Sequence, residues 1–406
     1  MYVFHIPSSF PSRHEAIAGI SAKDFIHAFS NEYPDTRHTV SLFYETTYHF
    51  LLKKNKFLSE IPKYLLKRNG VELIELKSNL NYCYAEKSLI YSTQLGYNEK
   101  RNWLNSHRGN LNFIIKKFGK PDILHAQFTQ YAGWVAWKLS KEYSIPYIIT
   151  ERFGPFPPSH LMKKNVSQLI DDIYFPMKEA AALVSVSESH AQDIEKFIDR
   201  KVSVIHNIAD EELFVPIEYP KENRFGKFTF ITITSSYQSN KGIEDLLVGI
   251  SILKRKGFSA KFIIGGGAKD NKFKYLKTIA KKLDIESEIE WTDKLTREET
   301  ALKIQYGDCF ISPSIYESFG MVCLEAIACG KPVIATKSGG PESIINEING
   351  LLVDVRNPEM LAEAMEHMIK YYKNYNPDII RRDFINRFSK KAITNQYYEL
   401  YKTVVK

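Results

Sequence analysis

The sequence lacks several features that would place the protein in other structural classes. Only four cysteines occur among its 406 residues, and they form no C-x-x-C pair. We therefore expect reduced core thiols, with neither a disulfide framework nor a zinc site. No apolar run approaches the roughly 20 residues that a membrane-spanning helix needs. Internal repeats and low-complexity segments are also absent, so the pattern favours ordinary globular domains.

Charge and composition limit the kinds of ligand, partner and cellular location that fit this protein. The formal net charge is +8, with 25% charged and 44% hydrophobic residues, as in ordinary globular domains. This mildly basic balance suits a phosphorylated ligand or an anionic membrane surface, whereas no nucleic-acid-binding module is recognisable. The first residues are too polar beyond Ile6 for a signal peptide and are typical of a first strand. We therefore expect a cytoplasmic protein without a nucleic-acid partner.

Strand-like apolar runs alternate with helical patterns along the chain, which favours an α/β fold with parallel sheets. The predicted strands lie at 2–6, 39–44, 71–75, 123–126, 147–150, 183–186, 228–234, 261–265, 288–291, 308–312 and 333–336. The predicted helices include 22–30, 133–143, 166–181, 190–197, 242–256 and 274–283. The length suggests two domains, and Pro216 and Pro220 mark a linker. We expect domains at 1–207 and 208–385, with a terminal helix over about 386–406.

The most informative stretch spans residues 312–336. Its pattern predicts a strand end, a tight loop, an apolar helix from about Phe319 to Cys329, a glycine stop and another strand. The helix is apolar on nearly every face and should be buried. Glu317 and Glu325 lie eight positions apart across the loop–helix junction, and Glu325 falls inside the apolar run. Because a buried carboxylate without a partner is costly, Glu325 should meet a ligand hydroxyl, a protein N–H group or a cation.

The block PS-x-x-E-x-FG-x-x-x-LEA-x-A-x-GKPV-x-A-T-x-x-GG resembles the donor-site signature of the retaining, nucleotide-sugar-dependent glycosyltransferases of family 4. Other segments that resemble this family are 121–127, 145–151, 184–188, 204–207 and 241–242. The resemblance implies the GT-B fold, in which two Rossmann-like domains face each other across a cleft. It also implies a C-terminal helix that crosses back to the first domain.

The resemblance assigns donor contacts to the two glutamates. Glu317 should contact hydroxyls of the donor sugar and Glu325 the ribose, since a carboxylate can accept two hydrogen bonds from a diol. Glu317 is also compatible with a plain acidic residue near a helix N-terminus. That N-terminus offers free N–H groups and a positive dipole end to the sugar and the diphosphate. The residues that open the helix are Phe319, Gly320, Met321 and Val322.

The resemblance also places a cation beside the leaving group. Lys241 should stabilise the departing diphosphate selectively in the transition state. The family carries an arginine five or six positions earlier, where this chain has Ser235 and Ser236. Arg152 stands where the family's TEH motif has histidine, and it brings a permanent charge. We hypothesise that the serine hydroxyls with backbone amides, or Arg152, replace the missing cation.

Four further residues are weaker candidates. Gly19 resembles a glycine after the first strand that lets donor phosphate and acceptor approach the first domain. His125 ends a strand beside the cleft, where it either faces the acceptor or caps the strand. Lys294 and Leu295 lie in the segment that usually lines the base pocket.

The function that the resemblance implies is hexosyl transfer from a nucleotide-diphosphate sugar to a hydroxyl of a glycan or lipid-linked glycan. Cell-surface polysaccharide or lipopolysaccharide synthesis is the expected setting. No D-x-D sequence occurs, so we expect no catalytic metal, and no other cofactor is implied. Segments 51–58 and 64–68 interleave basic and apolar residues; they suit helices packed on the sheet, or peripheral contact with the inner face of the cell membrane.

Two alternatives stay open at this point. One is a nucleotide-sugar epimerase of the same fold, which would need acid and base groups around the sugar. The other is a catalytically silent subunit that binds a nucleotide sugar and supports a partner transferase. The absence of the family's arginine and histidine favours the second alternative.

Overall fold

Two separate sheets of mostly parallel strands form the scaffold of the computed structural model. It describes residues 1–11, 18–43, 70–85, 99–164, 166–217, 227–268 and 270–405. The first sheet contains β1 Tyr2–Pro7, β2 Arg37–Phe43, β3 Val71–Lys77, β4 Leu80–Ala85, β5 Ile123–Gln127, β6 Tyr147–Glu151, β7 Ala182–Ser185 and β8 Ser203–Val204. Their order is β3-β4-β2-β1-β5-β6-β7-β8, with β3 antiparallel to β4.

Helices cover the first sheet, which explains why its central strands are buried and mostly apolar. Strands β1, β5 and β6 are buried over their whole length. The helices of this part are α1 Ile20–Glu32, α2 Glu99–Phe118, α3 Trp134–Tyr143, α4 Asp171–Glu179 and α5 Glu188–Glu195.

The second sheet is parallel in the described residues. Its strands are β9 Phe228–Ile233, β10 Ala260–Gly265, β11 Ile289–Trp291, β12 Cys309–Ser312, β13 Val333–Thr336 and β14 Gly350–Val353, in the order β11-β10-β9-β12-β13-β14. The helices that follow β8 along the chain are α6 Ile243–Arg255, α7 Asn271–Lys282, α8 Arg297–Tyr306, α9 Met321–Ala328, α10 Pro358–Tyr371, α11 Pro377–Phe388 and α12 Lys390–Val405. No helix of the described residues is both long and apolar enough to span a bilayer.

The last helix returns to the first sheet, as the resemblance predicted. Helix α11 packs against α9, and the chain then crosses at Ser389 so that α12 packs along α1. Tyr397 lies 4.4 Å from Phe25, measured between ring centroids, and Tyr398 stacks on Tyr33 at 4.3 Å. These aromatic contacts, of which the one between Phe25 and Tyr397 is buried, fix α12 to the first domain.

Arg381 of α11 fastens the segment that links the two sheets. Its guanidinium donates to the carbonyl oxygens of Glu211 and Phe214 in the link, and to that of Ala328 at the end of α9. The main-chain N–H of Lys390 donates to the Glu211 carboxylate at 3.0 Å. The chain crosses between the two sheets twice, once near Glu211 and once near Ser389, and these hydrogen bonds join the two crossings to each other.

Several predicted elements differ from the structure. The helix expected from Val166 begins at Asp171, because the preceding residues form a loop closed by a bridge between Met162 and Leu169. The terminal helix expected from Asn386 is divided by Ser389, whose backbone is extended. Strands β4, β8 and β14 and helices α2 and α10 were missed. Segments 51–58 and 64–68 lie outside the described residues, and the domain boundaries at 207 and 385 stay predictions.

Candidate functional site

A cavity of about 350 Å³ lies between the two sheets, where the carboxyl ends of strands β5, β6, β9 and β12 converge. This edge of a parallel sheet is where ligands bind in open α/β folds. The volume falls at the lower end of the range usual for small-molecule sites. The predicted site residues that line it are Arg152, Lys241, Glu317, Phe319, Gly320, Met321 and Val322.

Lys241 and Glu317 form an ion pair inside the cavity. Lys241 Nζ lies 2.7 Å from Glu317 Oε1, and the side chains are 18% and 22% exposed. The Ser314 hydroxyl donates to the same carboxylate oxygen at 2.9 Å. The pair therefore presents a cation and a carboxylate side by side at fixed positions, suited to a ligand that carries both phosphate and hydroxyl groups.

Two close backbone approaches hold this pair. Gly242 follows Lys241 with φ 63°, and a Cβ at Gly242 would lie 1.9 Å from the Pro313 carbonyl oxygen. The loop of Glu317 is joined to a second loop by main-chain hydrogen bonds, from Glu317 N to Ser338 O (2.9 Å) and from Gly340 N to Glu317 O (2.8 Å). Glycine at 242 therefore permits the contact that brings Lys241 beside Glu317.

Helix α9 points its N-terminus into the cavity. Gly320 precedes the first helical residue with φ 97°, and no side chain caps this end of the helix. The first N–H groups of an uncapped helix end need other partners and carry a positive partial charge. Gly320, Met321 and Val322 line the cavity, and the anion site expected there stays a prediction.

Glu325 lies one turn further along α9 and does not line the cavity. Burial raises the pKa of its carboxyl group to about 8; Arg297 lowers it, and the nearby carboxylates Asp24 and Asp210 raise it. Arg297 of α8 in turn pairs with Asp24 of α1, with Nη2 and Oδ2 3.0 Å apart. The glutamate therefore sits beside a contact between the two domains.

Arg152 reaches the cavity from the first domain. It is 8% exposed, its Nε donates to Asn207 Oδ1 at 2.9 Å, and its Nη1 donates to Gln127 Oε1 at 2.5 Å. Burial lowers the pKa of the guanidinium, and the nearby Tyr397 and Glu151 partly offset this by raising it. Amide oxygens on two sides fix its orientation.

The structure corrects the acceptor-side prediction for His125. Its ring is fully buried, with Nδ1 2.6 Å from the Tyr401 hydroxyl and Nε2 2.8 Å from the Thr150 hydroxyl. The physical reason is that β5 is a central strand and α12 covers it on this side. Burial holds the pKa of His125 well below its ordinary value, so the ring is a neutral part of the core.

The other weak candidates do not line the cavity. Gly19 sits at the start of α1 with φ 65°, and a Cβ there would lie 2.1 Å from the Ser9 carbonyl oxygen. Lys294 is exposed and Leu295 half-buried. Ser236 is half-buried, whereas its neighbour Ser235 lines the cavity.

Sequence reasoning missed the residues that join the domains at the site. The Ser318 hydroxyl donates to the Arg152 carbonyl oxygen at 3.0 Å, and the Ser187 hydroxyl donates to the Ser318 carbonyl oxygen at 2.6 Å. Asn207, which orients Arg152, was also missed. Ser187 and Asn207 lie in segments that resemble the family, and Ser318 lies between Glu317 and Phe319. Their closeness to these motifs was the one sequence feature that could have identified them as site residues.

Comparisons with known proteins agree with this geometry. The model "Glycosyltransferase Family 4" matches residues 78–213, and "Glycosyl transferases group 1" matches 216–387. An uncharacterized glycosyltransferase of Methanocaldococcus jannaschii is 27% identical over 61% of this chain and 65% of its own length, which is less than two thirds. A D-inositol 3-phosphate glycosyltransferase of Corynebacterium glutamicum is 26% identical over 64% of this chain and 67% of its length.

A solved structure gives the fold. Anabaena HepE in complex with UDP superposes with a TM-score of 0.67 at 16% identity, over 99% of both chains. This confirms the predicted GT-B fold of two Rossmann-like domains. The two family models, whose matches together cover most of the sequence, show that the chain belongs to glycosyltransferase family 4.

Proposed function

We propose that the protein is a retaining glycosyltransferase that moves a hexose from a nucleotide-diphosphate sugar to an acceptor hydroxyl. The observation that carries this proposal is the Lys241–Glu317 pair (2.7 Å) facing one cavity with the uncapped N-terminus of α9. The UDP bound to HepE supports a nucleotide-sugar donor, and the name of the Corynebacterium relative supports glycosyl transfer.

Each group in the cavity has a distinct task in this reaction. As the bond between the anomeric carbon and the diphosphate oxygen breaks, Lys241 and the N–H groups of α9 stabilise the growing negative charge. Glu317 accepts hydrogen bonds from sugar hydroxyls and orients the ring. Glu325, which lies one turn along α9 and outside the cavity lining, would accept hydrogen bonds from a ribose that extends beyond the cavity. The leaving phosphate oxygen takes the acceptor proton as the new glycosidic bond forms on the same face.

The proposal extends to the setting of the reaction. A glycan or lipid-linked glycan acceptor would bind the first domain, in cell-surface polysaccharide or lipopolysaccharide synthesis. The charge of +8 supports a cytoplasmic protein held peripherally at an anionic membrane face. Protein cations and a helix N-terminus supply the charge that a metal would otherwise bring, so we propose that turnover needs neither a divalent metal nor a cofactor, and that adding EDTA leaves it unchanged.

A donor screen tests this function. UDP-, GDP- and ADP-sugars are added to the purified protein, and thermal shift and slow donor hydrolysis are measured. One donor should stabilise the protein and be hydrolysed, and Lys241→Met should lower the hydrolysis rate about 10²–10³-fold, as for the loss of one preorganised charge partner. Lys254→Met is the matched control, because Lys254 pairs with Asp284 on the surface of the same domain. Absence of a shift with every donor would overturn the donor site.

The silent binding subunit is a second candidate, favoured by Ser235 lining the cavity where the family carries a cation. It predicts stabilisation by one donor without hydrolysis or transfer to any acceptor.

The cavity does not support the epimerase alternative, which would need acid and base groups around the sugar. In the described part of the chain, the titratable groups that line the cavity are Arg152, Lys241, Glu317 and the buried Cys323, and the one carboxylate among them is held by Lys241.

A further inference from the structure

Arg152 is a buried cation without a carboxylate partner in the described part of the chain. Its two hydrogen-bond acceptors are the neutral amides of Gln127 and Asn207, and Nη2 has no acceptor among the described residues. Glu151 is adjacent, but its carboxylate accepts the main-chain N–H groups of Thr129, Arg152 and Phe153 instead. A buried charge in such surroundings is costly unless an anion compensates it.

The position of Arg152 shows where such an anion would lie. Arg152 lines the same cavity as Lys241 and Ser235, although it belongs to the opposite domain. The loop that carries Glu317 touches it directly, since the Ser318 hydroxyl donates to the Arg152 carbonyl oxygen. The second domain therefore offers one lysine, and the first domain offers one arginine, to a ligand placed between them.

We propose that Arg152 is the second cation for the donor diphosphate and is supplied across the cleft from the first domain. Gln127 and Asn207 are positioning residues, because they fix the guanidinium so that its unpaired N–H groups face the ligand. This inference rests on the proposed function. Its consequence is that the diphosphate contacts both domains, while a ligand with a single phosphate is held by the second domain alone.

Calorimetric titration with UDP and UMP, and in parallel with GDP and GMP, tests the inference. Arg152→Gln should weaken binding of the diphosphate about ten- to a hundred-fold, the range for one charge-assisted hydrogen-bonding group, and change monophosphate binding less than about threefold. Adding Ser235→Arg to Arg152→Gln should restore part of the diphosphate affinity, since Ser235 lines the cavity and the change returns a cation from the second domain. Arg200→Gln is the control, because Arg200 donates to three carbonyl oxygens elsewhere in the first domain.

The outcomes separate this inference from the proposed function. If the wild type binds none of these nucleotides, the proposed function itself fails. If the wild type binds a diphosphate and Arg152→Gln binds it equally well, this inference alone fails. Equal losses for diphosphate and monophosphate, matched by Arg200→Gln, would reduce Arg152 to a structural role and also overturn it.

A second variant tests the positioning residues. Gln127→Glu keeps the shape of the side chain but places a carboxylate against Arg152 Nη1. The new ion pair should neutralise the guanidinium, so we expect the same selective loss of diphosphate affinity as in Arg152→Gln. Wild-type diphosphate binding by Gln127→Glu would show that Gln127 does not control Arg152.

Discussion

Glu325 is a carboxylic acid whose ionisation should depend strongly on its surroundings. Burial raises the pKa of its carboxyl group to about 8, against the pull of Arg297. Below that pH the folded protein carries a neutral carboxyl group at a position where the unfolded chain would ionise near its ordinary value. The folded state therefore binds more protons there than the unfolded state does.

Replacing Glu325 with glutamine should change the pH dependence of stability. Between the ordinary pKa of glutamate and about 8, wild-type stability is lost as the pH rises, because ionisation is easier in the unfolded chain. Glu325→Gln removes this loss, so its melting temperature relative to wild type should increase from pH 5 to pH 9. The measurement is a series of thermal melts, with the exposed Glu347→Gln as control. A difference that stays constant with pH would contradict the assignment.

At the scale of helices and strands, the sequence predicted an element best where a single hydrophobic pattern runs through it. Helix α9 is apolar nearly all round, and strands such as β13 are short apolar runs, so their types and limits were predictable. Strand β4 mixes asparagine and tyrosine with apolar residues, and α2 contains a glycine and several asparagines. Their packing partners lie far away in sequence, so tertiary contacts decide these elements where local preference does not.

The same distinction applies to the candidate site. Lys241 lies in one family-like segment, and Glu317 with the start of α9 lies in another. Lys241 and Glu317 are 76 positions apart, and the resemblance of each segment to the family, not a local pattern, predicted that they meet. The contact of Arg152 with Asn207 joins residues 55 positions apart, and the contact of Ser318 with Arg152 joins residues 166 positions apart. No local pattern encodes such distances, and the burial of His125 under α12 was missed for the same reason.

Helix α12 should depend on one buried hydroxyl. Tyr401→Phe removes the partner of His125 Nδ1 at 2.6 Å and leaves this buried nitrogen only a longer contact with Gln127 Nε2 at 3.2 Å, which should cost about 0.5–1.5 kcal/mol in the free energy of unfolding. Tyr398→Phe on the same helix is the matched control; Tyr398 is half-buried, and its hydroxyl has no hydrogen bond in the described part of the chain. Urea titration measures both, and equal stability of the two variants would contradict the prediction.

The loops at the site should tolerate no added methyl group at Gly340. A Cβ there would lie 2.2–2.4 Å from the main chain of Phe319, so Gly340→Ala must push the two loops apart and should lower both stability and donor hydrolysis. Gly109→Ala in α2 meets open space and should instead raise stability by about 0.5–1 kcal/mol, because alanine is the better helix former. Donor hydrolysis at the wild-type rate in Gly340→Ala would show that the loop contact is not needed.

At the scale of the molecule, the first domain carries a group of neutral buried histidines. Burial is the main cause of their lowered pKa values: about 3 for His38 and His107, and well below the ordinary value for His5 and His125. As the pH falls below about 6.5, the unfolded chain takes up protons that the folded domain refuses. Stability should therefore fall as the pH falls, by up to about 1.4 kcal/mol per pH unit for each such histidine.

Urea titrations between pH 7 and pH 5 measure this acid sensitivity. His107→Gln should reduce the slope of unfolding free energy against pH by about one proton, whereas His367→Gln, at an exposed position in α10, should leave it unchanged. A wild-type stability that is flat over this range would contradict the assignment of neutral histidines.

The chain passes between the two sheets twice, and Arg381 and Lys390 join the two passages at one place. Two parallel connections act as a hinge with a single axis, because each one prevents the other from twisting or sliding. Opening of the cleft is then one rotation about this point. Asp24 lies close enough to Asp210, a partner of Lys390, for the two carboxylates to interact, so Asp24 and its partner Arg297 are near the hinge and move little. The ion pair between them should accordingly persist through small openings of the cleft.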